Sequence, residues 1–265
     1  MRPSVVLPLQ DPSPLSPFEP EEFKGKTLDR LKSFGYEGVE LGITDPSGLN
    51  PQKIREKLES HGLSLSAITT GQAYGVEGIS FTEPEAKKRR RAIGRIEDQI
   101  DFAAHFPETI VILGSIRGEG KEKEAPLWLS EGLKEVAQKA EGEEVKLAFE
   151  PINRYETKIV NTVEEALQIT EGIDCESLGI LFDTFHANIE EPSITASIEK
   201  AKGEILYVHV ADSNRWPPGY GHLDFDRIAN ALRNVGYQGF LSLESLPQPD
   251  RGTCLEEGGK RISAL

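Results

Sequence analysis

Eight short apolar runs recur along this chain, each followed by a loop and a longer segment of helical periodicity. They are Ser4–Leu7, Gly38–Leu41, Leu63–Thr69, Thr109–Leu113, Lys146–Phe149, Leu178–Phe182, Ile205–Val210 and Phe240–Leu243. Runs of this length, bounded by turn residues, read as strands. The segments between them carry helix signals. Pro51–His61 has Asn50 as N-cap, Pro51 at the first helical position, Ile54 and Leu58 four apart, and Gly62 closing. Leu28–Phe34, Glu85–His105, Leu127–Ala140, Val163–Glu171, Ile194–Lys202 and Phe225–Val235 are amphipathic in the same way. Such alternation suits a doubly wound open sheet or a closed barrel. The count of eight favours the barrel, and the glycine-rich nucleotide signatures expected of the open sheet are absent. The expected fold is α/β, a single (β/α)8 TIM barrel over residues 1–265, with no linker to split it. Only Leu246–Leu265 follows the last run, with Gly258 and Gly259 inside it, so the final helix is expected to be short or frayed.

Charge and cysteine usage narrow the partners. With 30 Lys+Arg against 44 Asp+Glu, the net charge of −14 opposes phosphate backbones and anionic membranes. The basic run Lys87–Arg91 lies on a predicted helix among Glu83, Glu85, Glu97 and Asp98 and reads as a solvated face. The apolar stretch before Pro8 is too short for a signal-peptide core, and no run approaches a membrane span. Cys175 and Cys254 are isolated, which fits a reducing compartment. A cytoplasmic protein is expected, with no nucleic-acid or membrane partner.

Four of the runs end in side chains that bind metals: VKLAF before Glu150, LGILF before Asp183, ILYV before His209 and FLSL before Glu244. In a barrel these strand ends meet at the C-terminal mouth, where active sites lie. A single carboxylate after a strand is often only a helix N-cap. Four successive strands ending this way form a joint pattern. Three carboxylates and an imidazole suit a hard or borderline divalent ion such as Mn²⁺, Mg²⁺ or Co²⁺, and the carboxylates would repel one another without it.

The blocks around these positions, EPINRYET at Glu150–Thr157, DTFHANIEE at Asp183–Glu191 and HVADSNRWPPGYGH at His209–His222, resemble the ketose 3-epimerases. That family, typified by D-tagatose 3-epimerase, lies within the xylose-isomerase-like sugar isomerase and epimerase superfamily. GVELGITDPS at Gly38–Ser47 and TGQAY at Thr70–Tyr74 look most like the branch that includes 5-keto-L-gluconate (D-tagaturonate) epimerase. The resemblance implies Glu150, Asp183, His209 and Glu244 as ligands of one divalent ion, with Mn²⁺ first and Mg²⁺ or Co²⁺ as alternatives. It also implies Glu156, His186 and Arg215 as substrate contacts from the loops, and relatives that pair barrels into dimers or tetramers. Around Glu244 the sequence SLESLPQP departs from the usual neighbourhood, and that ligand rests on the strand pattern.

Epimerising a ketose beside its carbonyl needs an electrophile and two proton carriers. The expected activity is that of an isomerase acting on a ketose or keto-sugar acid through a metal-bound cis-enediolate, with Glu150 and Glu244 exchanging the proton on opposite faces. His186 and Arg215 would hold the C1–C2 oxygens, and Glu156 would orient His186 or a hydroxyl. A sugar-acid substrate would call for a cation, with Arg117 and Arg154 as candidates by position; Tyr74 would shield the mouth. Rival readings are aldose–ketose isomerisation or keto-polyol dehydration at the same metal, an endonuclease-IV-type phosphodiesterase, and a non-catalytic sugar-binding barrel. With only five histidines, two of them on predicted helices, the chain is short of ligands for a multi-zinc nuclease.

Overall fold

The computed structural model describes residues 1–265. Eight parallel strands close in chain order: β1 (Arg2–Pro8), β2 (Gly38–Gly42), β3 (Ser64–Thr69), β4 (Ile110–Leu113), β5 (Lys146–Phe149), β6 (Leu178–Asp183), β7 (Ile205–Val210) and β8 (Phe240–Leu243). The seam pairs β1 with β8, from Arg2 opposite Phe240 to Val5 opposite Leu243. The outer helices are α1 (Gly25–Ser33), α2 (Pro51–Ser60), α4 (Ala86–Ala103), α5 (Ala125–Gly142), α6 (Val163–Ile173), α8 (Ile194–Lys200), α9 (Phe225–Asn234) and α10 (Arg251–Ala264). Two seven-residue helices, α3 (Gly71–Glu77) and α7 (Thr184–Glu190), follow β3 and β6 directly. The sequence pattern leaves both as loop, because Phe185, Ala187 and Ile189 lie two apart in α7 and α3 carries Gly71 and Gly75.

Strand side chains alternate between two cores. Outward residues such as Leu147, Phe149, Ile180, Phe182, Val208, Leu241 and Leu243 join a cluster of 59 buried residues shared with the helices. The inward cluster has six members, Ala67, Ile112, Ala148, Leu181, Tyr207 and Phe240. The apolar mass therefore lies outside the barrel wall, and the lumen has room for polar groups. Gly38 is small for a reason: a Cβ there would stand 2.5 Å from the Phe240 ring that fills the floor.

The basic run on α4 is tied to acids, with Lys88 to Glu83, Arg91 to Glu77 and Arg90 to Glu97 and Glu135, so it is a solvated ion-paired face as expected. No helix is long and apolar enough to cross a membrane.

The C-terminal helix is not frayed. It runs for 14 residues, with the Asp250 side chain capping Thr253 N–H, and its two glycines allow close approach to the barrel. The Tyr36 hydroxyl donates to the Leu255 carbonyl, and a Cβ on Gly259 would lie 2.6 Å from the Phe34 carbonyl oxygen and 2.9 Å from the Tyr36 ring. Helix propensity favours Ala over Gly by about 1 kcal/mol, whereas forced overpacking costs about 1–3 kcal/mol. Because the close neighbour is backbone, overpacking wins. Gly259→Ala should lower stability by up to about 2 kcal/mol in urea unfolding; an unchanged or raised midpoint would contradict this packing.

Candidate metal centre and substrate cavity

Each of the last four strands carries two successive inward positions, the second at the mouth: Ala148 then Glu150, Leu181 then Asp183, Tyr207 then His209, Ser242 then Glu244. One ligand atom from each of Glu150, Asp183, His209 and Glu244 lies within 4.8 Å of the others. His209 Nδ1 is 3.6 Å from Glu150 Oε1, 3.6 Å from Glu244 Oε2 and 3.8 Å from Asp183 Oδ2. These separations exceed hydrogen-bond length. Glu150 Oε1, Asp183 Oδ2 and His209 Nδ1 are accordingly buried without a partner. Orphaned buried polar atoms are costly, and a cation between them would satisfy all three at once. The donor set fits a hard or borderline divalent ion.

The electrostatics point the same way. Burial pushes Glu244 up to about 7, against the pull of His209 and Arg215. Burial also works against a charged His209, yet Glu40, Glu244 and Glu150 outweigh it and hold the imidazole well above its ordinary range. For Asp183, burial is outweighed by His186, Arg215 and His209, so its carboxyl lies low. Asp183 is N-cap and candidate ligand together: Oδ1 accepts from Phe185 N–H (2.7 Å) and His186 N–H (2.9 Å), leaving Oδ2 for the centre. Glu150 needs Gly114 beside it, since a Cβ there would lie 2.5 Å from Glu150 Oε2.

His186, Glu156 and Arg215 reach the same mouth. His186 is placed in the first turn of α7, not in a loop, and its Nε2 lies 3.8 Å from Glu150 Oε1. Glu156 does not touch His186. Asn153 stands between them, its Nδ2 donating to Glu156 Oε1 (2.8 Å) and to His186 Nδ1 (2.8 Å), while its Oδ1 accepts Tyr155 N–H (3.0 Å). His186 Nδ1 is thus an acceptor, and the ring proton sits on Nε2 facing the centre. Arg215 donates to Glu156 Oε1 (2.9 Å) and Glu244 Oε2 (3.3 Å) and lies over the Phe185 ring.

Arg215 has a left-handed backbone (φ 60°) in a loop built around Asp212. That buried carboxylate accepts from the N–H groups of Ser213 (2.7 Å), Gly219 (2.8 Å) and Leu223 (3.0 Å). Burial pushes its carboxyl up, but these amides and that of Gly221 outweigh burial and hold it below the usual range. Gly221 fits because a Cβ there would lie 2.2 Å from Asp212 Oδ1.

The two arginines considered for a sugar acid go elsewhere. Arg117 is fully buried, donates from Nη1 to the carbonyls of Val160 (2.8 Å) and Ile159 (3.2 Å), and stacks on Phe149; burial pushes it down to about 9. Arg154 is committed to Glu190 through Nε and Nη2. Tyr74 reaches Glu119, at 3.5 Å, and His222 bonds Ser213. Three buried residues of the site escaped the sequence reading: Asn153, Asp212 and Glu40, whose oxygens face His209 Nε2 at 3.0 and 3.1 Å. Glu40 had a signal, a charged residue inside an apolar run. Beside the cluster opens a cavity of ≈ 370 Å³, bordered by Glu150, Glu244, Ser13, Thr69, Gln72 and Ser115 among others, with no Lys or Arg in its wall.

The family model for the xylose isomerase-like TIM barrel matches residues 28–260. The chain belongs to that family. Among its relatives, the D-psicose 3-epimerase of Ruminiclostridium cellulolyticum is 35% identical over 230 residues, covering 82% of this chain and 76% of the relative. The 3-dehydro-D-guloside 4-epimerase of Escherichia coli is 32% identical over 227 residues, covering 81% and 84%. The crystal structure of a 3-keto-D-glucoside 4-epimerase from E. coli superposes over 100% of both chains with a TM-score of 0.82 at 20% identity, a likeness of fold.

A divalent ion at the family's barrel mouth would compete with a proton for His209 Nδ1. Because that imidazole is held above its ordinary value, competition extends to higher pH than for a free histidine. Mn²⁺ affinity should fall by about tenfold per pH unit, with about one proton released per ion, as pH drops through the range where His209 is protonated, and more steeply below about pH 7, where Glu244 also takes up a proton. Calorimetric titration in buffers of different ionisation enthalpy checks this; pH-independent affinity without proton release would contradict it.

Proposed function

We propose that this chain is a divalent-metal-dependent sugar epimerase that removes and returns a proton on the carbon beside the ketone of a ketose or keto-sugar. One observation carries the reading: Glu150 and Glu244, at the two ends of the four-strand arc of candidate ligands, both border one sugar-sized cavity. A carbon held between them has a carboxylate available on either side. One takes the proton and the other returns one to the opposite face, and exchanging the roles runs the reaction backwards. A divalent ion bound to Glu150, Asp183, His209 and Glu244 supplies Lewis-acid polarisation of the ketone oxygen. His186 Nε2–H and the Arg215 guanidinium are placed to hold the oxygens that gain charge as the enediolate forms. Glu156 acts at one remove, through Asn153 on His186 and directly on Arg215.

The cavity wall supports an uncharged substrate. A carboxylate or phosphate on the far end of the sugar would face Ser13, Thr69, Gln72 and Ser115 with no cation beside it, and Arg117 and Arg154 are bound elsewhere. A neutral ketose therefore suits this wall better than a keto-sugar acid. A second reading moves the reacting carbon. The 4-epimerase relative, 32% identical and matched over 84% of its length, supports a keto-glycoside whose ketone lies one carbon further along, at C3, and whose C4 is epimerised. Multi-zinc phosphodiester cleavage has less support, because the cluster has one histidine, and His61 and His222 bond to Asp29 and Ser213.

Incubation with Mn²⁺ in D₂O against neutral ketoses, keto-glycosides and ketouronates, followed by NMR, tests the reading. Deuterium should enter at one carbon beside the ketone of a neutral substrate while an epimer accumulates, and Glu244→Gln should slow this by roughly 10²–10⁴-fold. The labelled carbon separates the 3- from the 4-epimerase reading. No exchange on any substrate would overturn the epimerase, and faster exchange on ketouronates would overturn the neutral substrate.

A further inference from the structure

Below the candidate metal ligands, the barrel lumen holds buried polar groups in two hydrogen-bonded sets. The Ser4 hydroxyl meets that of Ser66 at 2.7 Å, and Ser66 meets the Tyr207 hydroxyl at 2.8 Å. The Ser242 hydroxyl donates to Glu40 Oε2 at 2.7 Å, and both Glu40 oxygens face His209 Nε2. Ser4, Ser66, Tyr207, Ser242 and Glu40 are wholly inaccessible to solvent, and His209 is nearly so. The edge of Tyr207 meets the His209 ring at 82°, with centroids 5.7 Å apart.

A carboxylate in the middle of a barrel is costly to bury and adds nothing to apolar packing. Its position gives it a use. A carboxylate accepts hydrogen bonds, so the ring nitrogen facing Glu40 must be the donor, which places the proton of a neutral His209 on Nε2 and leaves the Nδ1 lone pair directed at Glu150, Asp183 and Glu244. Ser242 fixes one Glu40 oxygen. We infer that Glu40 is a positioning residue that sets the tautomer and raises the ligand strength of His209, with the Ser242 hydroxyl holding Glu40 in register. The inference rests on the reading that the cluster takes a divalent ion.

The test measures metal binding, not turnover. Mn²⁺ affinity is compared by calorimetry for the unmodified chain, Glu40→Gln and Ser242→Ala, with thermal melts of the apo proteins alongside. Glu40→Gln keeps the shape and an oxygen facing Nε2 but removes the charge. It should weaken Mn²⁺ binding by roughly 10–100-fold with the fold retained, and Ser242→Ala should cause a smaller loss. Unchanged Mn²⁺ affinity in folded Glu40→Gln overturns the inference while leaving the metal reading intact. An unmodified chain that binds no divalent ion overturns both. Should Glu40→Gln fail to fold, Ser242→Ala decides: weaker Mn²⁺ binding in the folded variant is expected, and an affinity equal to that of the unmodified chain overturns the inference.

Discussion

Three carboxylates held around one imidazole nitrogen, with all four ligand atoms inside 4.8 Å of one another, set the terms for the rest of this molecule. Like charges at that distance in a buried site repel strongly, and neither their mutual distances nor the neighbouring hydrogen bonds relieve them fully. Burial, with Glu150 and Asp183 adding to it, pushes Glu244 up to about 7, and Glu40 together with Glu244 and Glu150 raises His209 against burial; a divalent cation at the shared focus would answer both. The barrel makes such a concentration of charge possible. Four consecutive parallel strands bring their last inward side chains to one place, while the helices outside carry the apolar burial that stabilises the wall.

Support for the site is layered in depth and around the rim. Glu40 and the lumen hydroxyls lie beneath the histidine, so its ring is fixed from the side away from the ligands. Asn153 does the same for His186, and Asp212 gathers backbone amides so that Arg215 can adopt a left-handed backbone and reach both Glu156 and Glu244. The side chains proposed to meet a substrate are thus held by buried polar groups with defined partners, an arrangement suited to the narrow tolerance of proton transfer at carbon.

Much of this was legible in the sequence, for physical reasons. Strand ends are readable because apolar runs stop where a side chain faces the mouth, so Glu150, Asp183, His209 and Glu244 stand out as polar terminations. Glu40 was not, because it lies within a run whose apolar neighbours mark a strand, and only the closed barrel shows that it and His209 share the lumen across 169 positions. Asn153 lies in a block that sequence reading singles out, but its bridging role depends on α7, a helix whose apolar residues Phe185, Ala187 and Ile189 lie two apart and leave no helical period. Gly258 and Gly259 are ambiguous as letters, since helix propensity marks them as breakers; packing against Tyr36 and Leu243 turns them into points of contact. The arginines show the opposite limit: proximity in sequence to the strand ends suggested a role for Arg117 and Arg154 that side-chain direction removes.

The account stands on where a cation binds. Anomalous diffraction at the manganese edge, from crystals grown with Mn²⁺, locates it directly. A single strong peak among Glu150, Asp183, His209 Nδ1 and Glu244, within about 2–2.5 Å of a donor atom from each, is the predicted result. An empty focus, or a peak elsewhere while these side chains keep their positions, would contradict it.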